Sequence, residues 1–299
     1  MAISMIKKGK VIKQLTLLIA TVMLLGSCSQ KKEVVILETP FGEMTAILYD
    51  ETPIHKKNFL KLARRGDYDS IIFHRIIEDF MIQTGDLATG PLGEPVKHFL
   101  EAEFNADRFF HEKGALAAAR IGDDRNPTKK SSGSQFYIVD GETFDDEGLK
   151  ERALRREYLR LDGYMQRMLK SKRFPEFTRT WQYIIDKANE DTTYNYAKAR
   201  FDFVMNRKAE IEEKYGPQVD PGYNDTQREV YASIGGAPHL DAEYTVFGKV
   251  VAGLDVIDKI AAQPRDLKDK PLKDILLTVR IEKMSAEEYH SKYDQFIRK

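Results

Sequence analysis

From Val34 onward, short apolar runs alternate with turn residues. VVILETPFGEMTAILYD reads as two strands, 34–38 and 43–49, joined by a turn that holds Pro40 and Gly42. TPIHKKNFLKLARRG then changes period. Thr52 is placed as N-cap and Pro53 at the first helical position, followed by an apolar stripe of Ile54, Phe59, Leu62 and Ala63, with Gly66 as the stop. Further strands are predicted at 70–77, 80–83, 114–119, 135–139, 244–250 and 275–283, and GLDVIDKIAAQ supplies a second helix. Many short strands, few helices and glycine-rich loops predict a mainly β domain, an antiparallel sheet closed into a barrel.

Between Asp140 and about Val230 the pattern turns helical. Leu154, Tyr158, Leu161, Met165 and Met168 follow one another at intervals of four, three, four and three, a heptad seam. Tyr194, Ala197, Phe201, Val204, Ile211 and Tyr215 continue in the same style, broken by Lys208, and a shorter helix opens near Pro175. Residues 141–230 are therefore expected to form an inserted α-helical subdomain of two long antiparallel helices and a shorter one. Two roles stay open for residues 147–215: a stable decoration, or an arm that contacts clients or a partner.

The first residues have another character. Lys7, Lys8, Lys10 and Lys13 precede LTLLIATVMLLG, an apolar run short for a mature membrane span. The run ends in Leu25-Gly26-Ser27-Cys28, which resembles the bacterial lipoprotein box, and Cys28 is the only cysteine. Residues 1–27 are expected to be a lipoprotein signal peptide, Cys28 the lipidation site and 28–33 a tether, with 285–299 as a C-terminal tail. An ordinary signal peptide with a chance cysteine, or a short anchor, is the plainer alternative. The expected localisation is the cell envelope, membrane-bound through lipid at Cys28, with the face left open.

Composition narrows the function classes. The 299 residues are 42% hydrophobic and carry 47 basic and 47 acidic side chains, so no net field draws the protein to nucleic acid. None of the six histidines stands in an HExxH-like spacing, no serine lies in GxSxG, and no glycine loop has the P-loop form. Covalent or metal chemistry is disfavoured, and no metal or cofactor is expected. One residue stands out: Arg75, set into FHRIIEDFMIQTGD, an apolar run where an unpartnered guanidinium would be costly. Its neighbour His74 points to the opposite face of a strand and is read as scaffold, and Asp86 and Glu103 as ligands of backbone amides.

FHRIIEDFMIQTGD, then GALAAAR (114–120), SGSQFYI (132–138) and HLDAEYTVFGKV (239–250), resemble in order and character the cyclophilin family of peptidyl-prolyl isomerases. The resemblance covers 34–140 and 231–284 and implies a closed eight-stranded barrel capped by two helices, interrupted by the helical insertion. Carried over by position, it implies Arg75, Phe80 and Gln83 as catalytic residues, with Met81, Ala119, Arg120, Gln135, Tyr137, His239 and Leu240 lining the substrate groove. The implied partners are proline-containing segments of unfolded or refolding exported proteins. A module that binds proline peptides without catalysis, with the insertion as its partner arm, is the alternative. Departures from the family pattern are Tyr137 in place of phenylalanine, His239 where an indole or phenyl ring is usual, Tyr244 in place of histidine, and Glu78-Asp79 in place of Pro-Gly, so the bend there must be made by other means.

Overall fold

A computed structural model describes residues 31–123, 125–171, 173–217 and 222–297. The predicted signal peptide and Cys28 lie outside the described residues. Strand β1 (Lys32–Thr39) begins inside the stretch expected to be tether, and it pairs with β2 (Gly42–Leu48) across the predicted turn. Helix α1 (Pro53–Arg64) is followed by β3 (Ile71–Ile72), β4 (Arg75–Ile77), β5 (Met81–Thr84), β6 (Phe99–Leu100), β7 (Ala115–Ala118), β8 (Ser131–Ser132) and β9 (Phe136–Val139). Helices α2 (Asp146–Lys170), α3 (Pro175–Glu190), α4 (Tyr196–Met205), α5 (Lys208–Tyr215) and α6 (Asp225–Ser233) precede β10 (Val246–Ala252). After it come α7 (Leu254–Ala261), β11 (Leu276–Met284) and α8 (Ala286–Tyr293). The expected tail thus carries a helix, whose Tyr289 packs into the apolar cluster of Val34 and Tyr49.

Nine strands form one antiparallel sheet in the order β3-β11-β1-β2-β10-β7-β9-β5-β4, and β6 pairs with β8 separately. The expectation of a closed eight-stranded barrel is corrected here: the hydrogen-bonded ladder is open between β3 and β4. These two edges are consecutive in the chain, joined through Phe73 and His74, so the sheet curls until its ends are linked covalently. At the gap the Ile76 amide donates to the Asp269 carbonyl at 2.8 Å, in a loop rather than a strand. Pro264 and Pro271 bracket that loop, and proline cannot donate to a ladder.

Inside the curl, Ile76, Ile82, Ile138 and Leu116 stand in register across β4, β5, β9 and β7, all fully buried. Phe59 of α1 and Ile257 and Ile260 of α7 pack onto the same core. The predicted cap of α1 is not local. The Thr52 hydroxyl donates to the Tyr49 carbonyl, and the orphan amides of Ile54 and His55 bond to the Glu103 carboxylate at 3.0 Å each.

The helical segment has its own core, in which Leu161, Met165 and Met168 meet Phe177, Ile184, Phe203, Val204 and Ile211. Full burial contributes about 1.5–3 kcal/mol per large apolar side chain. Leu154, at the start of the first seam, is instead 45% exposed. The second expected long helix is divided between α4 and α5, where Lys208 turns out of the seam to pair with Glu157 at 2.5 Å.

The chain leaves the sheet at Gly141 and returns at Gly236, and the two ends pair: the Gly236 amide donates to the Glu142 carbonyl at 2.9 Å. A Cβ on Gly236 would lie 2.2 Å from the His111 carbonyl oxygen. Gly236→Ala is therefore expected to lower stability by about 1–3 kcal/mol, seen as a reduced thermal midpoint, whereas Gly163→Ala on α2, which would meet nothing within 4 Å, should leave it unchanged or raised.

Candidate active site

The site lies on the sheet face opposite the isoleucine row. Because side chains alternate along a strand, Ile76 facing inward places Arg75 outward. The register puts Arg75 opposite Gln83, Gln83 opposite Tyr137, and Tyr137 opposite Ala117. Directly opposed residues stand roughly 4.5–5.5 Å apart, so a guanidinium, an amide and an aromatic ring form one transverse line. Arg75, Phe80, Met81, Gln83, Ala119, Arg120, Tyr137 and Leu240 together line a cavity of about 110 Å³, with Tyr244 added. That is room for several waters. Gln135 stands behind it as acceptor for the Gln83 amide at 3.4 Å. His239 does not line this cavity; its ring packs on Phe80 with centroids 5.2 Å apart.

Arg75 does have a partner. Its Nε donates to Asp269 Oδ2 at 3.3 Å, and its side chain is 41% exposed. Asp269 sits with a left-handed backbone, φ 63°, in the loop that also bonds the edge of β4. Among the described residues the two terminal guanidinium nitrogens make no hydrogen bond, which leaves them to a ligand. Arg120 is fully engaged: it donates to the Glu243 carbonyl at 2.8 Å, pairs with Asp123 and Glu243, and lies 4.4 Å from the centre of the Tyr244 ring.

The bend that replaces Pro-Gly is made by Asp79, whose φ of 63° is left-handed, a conformation aspartate tolerates better than most residues. Buried Asp140 fixes it, accepting from the Asp79 amide at 2.9 Å and from Lys113 at 2.7 Å, while the Asp140 amide bonds the Phe80 carbonyl. Phe80 is thereby placed at the cavity edge.

Tyr137 is a buried tyrosine with a buried acceptor. Its hydroxyl lies 2.9 Å from His111 Nε2, and His111 Nδ1 lies 2.9 Å from Asp241 Oδ1. With the Nδ1 proton directed at the carboxylate, Nε2 accepts from Tyr137. Asp241 also accepts from the His111 amide at 2.9 Å and from Tyr231 of α6 at 2.7 Å, and Arg156 of α2 stands 3.9 Å away. Burial drives the Tyr137 hydroxyl well above its ordinary pKa.

His74 is held neutral by burial, and its Nδ1 has no hydrogen-bond partner among the described residues. Burial, aided by repulsion from His111, Arg152, Arg155 and Arg156, brings His239 down to about 4. Asp86 caps a short turn through the Ala88 amide, and Glu103 caps α1. The supporting residues Asp269, Asp140, His111, Asp241 and Tyr231 were not found from sequence. Only the tyrosine at 137 hinted at a hidden acceptor. Among the described residues no group of His, Cys, Asp and Glu is arranged to hold a metal.

An apolar cup thus stands beside a guanidinium and an amide on a curled antiparallel sheet. The chain belongs to the cyclophilin type peptidyl-prolyl cis-trans isomerase family, whose model matches residues 34–151 and 180–283, more than half of the sequence. A Streptococcus pyogenes protein named as a bifunctional phosphatase/peptidyl-prolyl cis-trans isomerase is 31% identical over 248 residues, 81% of this chain and 37% of that protein. The chain thus aligns with little more than a third of that relative. A Staphylococcus haemolyticus protein named for peptidyl-prolyl cis-trans isomerase activity is 29% identical over 246 residues, 81% of this chain and 87% of that one. A Cryptosporidium parvum cyclophilin type peptidyl-prolyl cis-trans isomerase structure aligns over 83% of this chain and 98% of its own, with TM-score 0.47 and 18% identity.

His239 gives a pH signature of folding. Its folded pKa, about 4, lies below the unfolded 6.5, so the unfolded chain takes up the proton first. The stability this neutral imidazole confers is complete above pH 6.5 and is lost as pH falls toward 4, by about 3 kcal/mol at most. His239→Phe, which keeps a ring on Phe80, should flatten this part of the decline in denaturant titrations between pH 7 and 4.

Proposed function

We propose that this chain catalyses cis-trans isomerisation of X-Pro bonds in exported proteins as they fold, acting in the cell envelope. The observation that carries the proposal is the free pair of Arg75 terminal nitrogens beside a ring-sized apolar cup. Twisting an X-Pro bond costs about 18–20 kcal/mol because amide resonance is lost. In the twisted state the prolyl nitrogen regains a lone pair and accepts hydrogen bonds better than in either planar state. A donor fixed toward that nitrogen binds the transition state more tightly than the ground states, which lowers the barrier.

Each neighbour has a part in this. Asp269 holds Arg75 by Nε, orienting the rest of the guanidinium toward the groove. Phe80, Met81, Tyr137 and Leu240 hold the proline ring and lower the local dielectric, strengthening that hydrogen bond. Gln83, braced by Gln135, is placed to hold the carbonyl that rotates. No step moves a proton. For localisation, the support is the leader and Cys28 in its lipoprotein-like box; Cys28→Ser should move the protein from the membrane to the soluble fraction.

The direct test is prolyl exchange of an Ala-Pro peptide measured by NMR, without a coupling protease. Arg75→Ala should lower kcat/KM by about 10²–10³, the scale of losing one transition-state hydrogen-bond donor, with the thermal midpoint nearly unchanged. His74 and His239 titrate below neutrality and Tyr137 and Tyr244 above their ordinary range, so the parent rate should be flat from pH 7 to 8. Full activity in Arg75→Ala would refute the mechanism.

A further inference from the structure

A second and larger cavity, about 460 Å³, opens beside the cup. The two share Arg120, Leu240 and Tyr244 in their walls, so they adjoin. One wall is the barrel loop of His239, Glu243 and Asp123, and the other is α2. Along α2 the lining residues Arg156, Arg160, Gly163, Arg167 and Lys170 recur at intervals of four, three, four and three, a single helix face. That face lies apart from the seam of Leu161, Met165 and Met168, which is buried in the helical core. The same helix therefore packs with one side and offers the other to the groove.

Two features point to an occupant. The first is charge. Among the described residues the lining holds six cations, Arg120, Arg156, Arg160, Arg167, Lys170 and Arg200, against three carboxylates, Asp123, Asp162 and Glu243. Arg120 and Arg200 are matched by those carboxylates and Arg156 is turned to Asp241 and the Pro238 carbonyl, so the excess is carried by Arg167 and Lys170 at the far end of the face. The chain as a whole is neutral, 47 against 47, so the excess is local. The second is shape. Gly163 sits mid-helix where glycine costs about 1 kcal/mol relative to alanine, yet a Cβ there would meet nothing within 4 Å. Packing does not require it, and its bareness keeps the groove open between Leu159, itself 49% exposed, and Gln166.

We propose that the α2 groove is an extension of the substrate site that binds an acidic stretch flanking the isomerised proline. The proposal rests on the cup being the proline site. From Arg156 to Lys170 the helix runs about 21 Å, the span of roughly six extended residues, so carboxylates several positions from the proline fall within reach of Arg167 and Lys170. Clients rich in Asp and Glu near a proline are then preferred over neutral ones, and the preference is electrostatic, hence screened by salt.

The test uses two fluorescent peptides with the same central Ala-Pro, flanked on both sides by glutamate in one and by glutamine in the other. Binding is read by anisotropy and isomerisation by NMR exchange. The parent should bind the glutamate peptide about tenfold more tightly at low salt, with the difference collapsing at high salt. Lys170→Glu should cut the ratio between the peptides severalfold, and Gly163→Leu should abolish it by filling the groove without loss of thermal stability. Equal binding of the two peptides by the parent, or an unchanged ratio in both variants, overturns the proposal. Glutamate-selective binding with no acceleration of either peptide leaves the groove standing and removes the isomerase mechanism instead.

Discussion

The arrangement turns on one buried carboxylate. Asp241, 1% exposed, needs donors within the protein, since a buried polar group left without partners costs several kcal/mol. Its donors come from distant parts of the chain, the amide and ring of His111 before β7 and the Tyr231 hydroxyl of α6, and the Arg156 guanidinium of α2 stands 3.9 Å away as a counter-charge while donating to the Pro238 carbonyl. Satisfying that one group fixes the Pro238–Leu240 turn, which sets Leu240 at the cup and His239 on Phe80. Through His111 it also fixes the hydroxyl of Tyr137. The helical segment is thus bonded into the support of the site.

The sheet supplies the other half of the constraint. Four isoleucine and leucine side chains in register inside the curl commit the alternate positions to the outer face, so Arg75, Gln83 and Tyr137 are aligned by backbone pairing rather than by loops. Loops then tune what the strands have placed. Asp269 holds Arg75 by one nitrogen, and Asp79 and Asp140 make the bend that brings Phe80 forward. Among the described residues, both aspartates with a left-handed backbone, Asp79 and Asp269, stand beside the site.

Much of this could be read in the chain beforehand. Period-two alternation located the strands, and the family resemblance carried by the local motifs implied the residues that meet in the cup, each motif lying on one strand or turn. What escaped was held by long-range pairs. Asp269 is 194 residues from Arg75, and Asp241 is 130 from His111, distances over which no periodicity carries information. The closed barrel was expected because strand count and glycine loops say nothing about whether the last ladder forms; at the β3–β4 gap β4 meets the loop of Asp269 instead of a strand. The second long helix failed for a local reason: Lys208 interrupted the seam and found Glu157 outside it. His239, assigned to the groove, stands outside the cup: it packs on Phe80 and lines the larger cavity.

The claim that the helical segment and the cup form one hydrogen-bonded unit is tested most directly by a double-mutant cycle on stability with Tyr231→Phe and Tyr137→Phe. Their hydroxyls lie on either side of the His111–Asp241 pair and do not touch each other. A shared network predicts a coupling of about 0.5–3 kcal/mol in denaturant unfolding. Additive effects, with no coupling beyond error, would mean that the helices are attached to the barrel without taking part in its site.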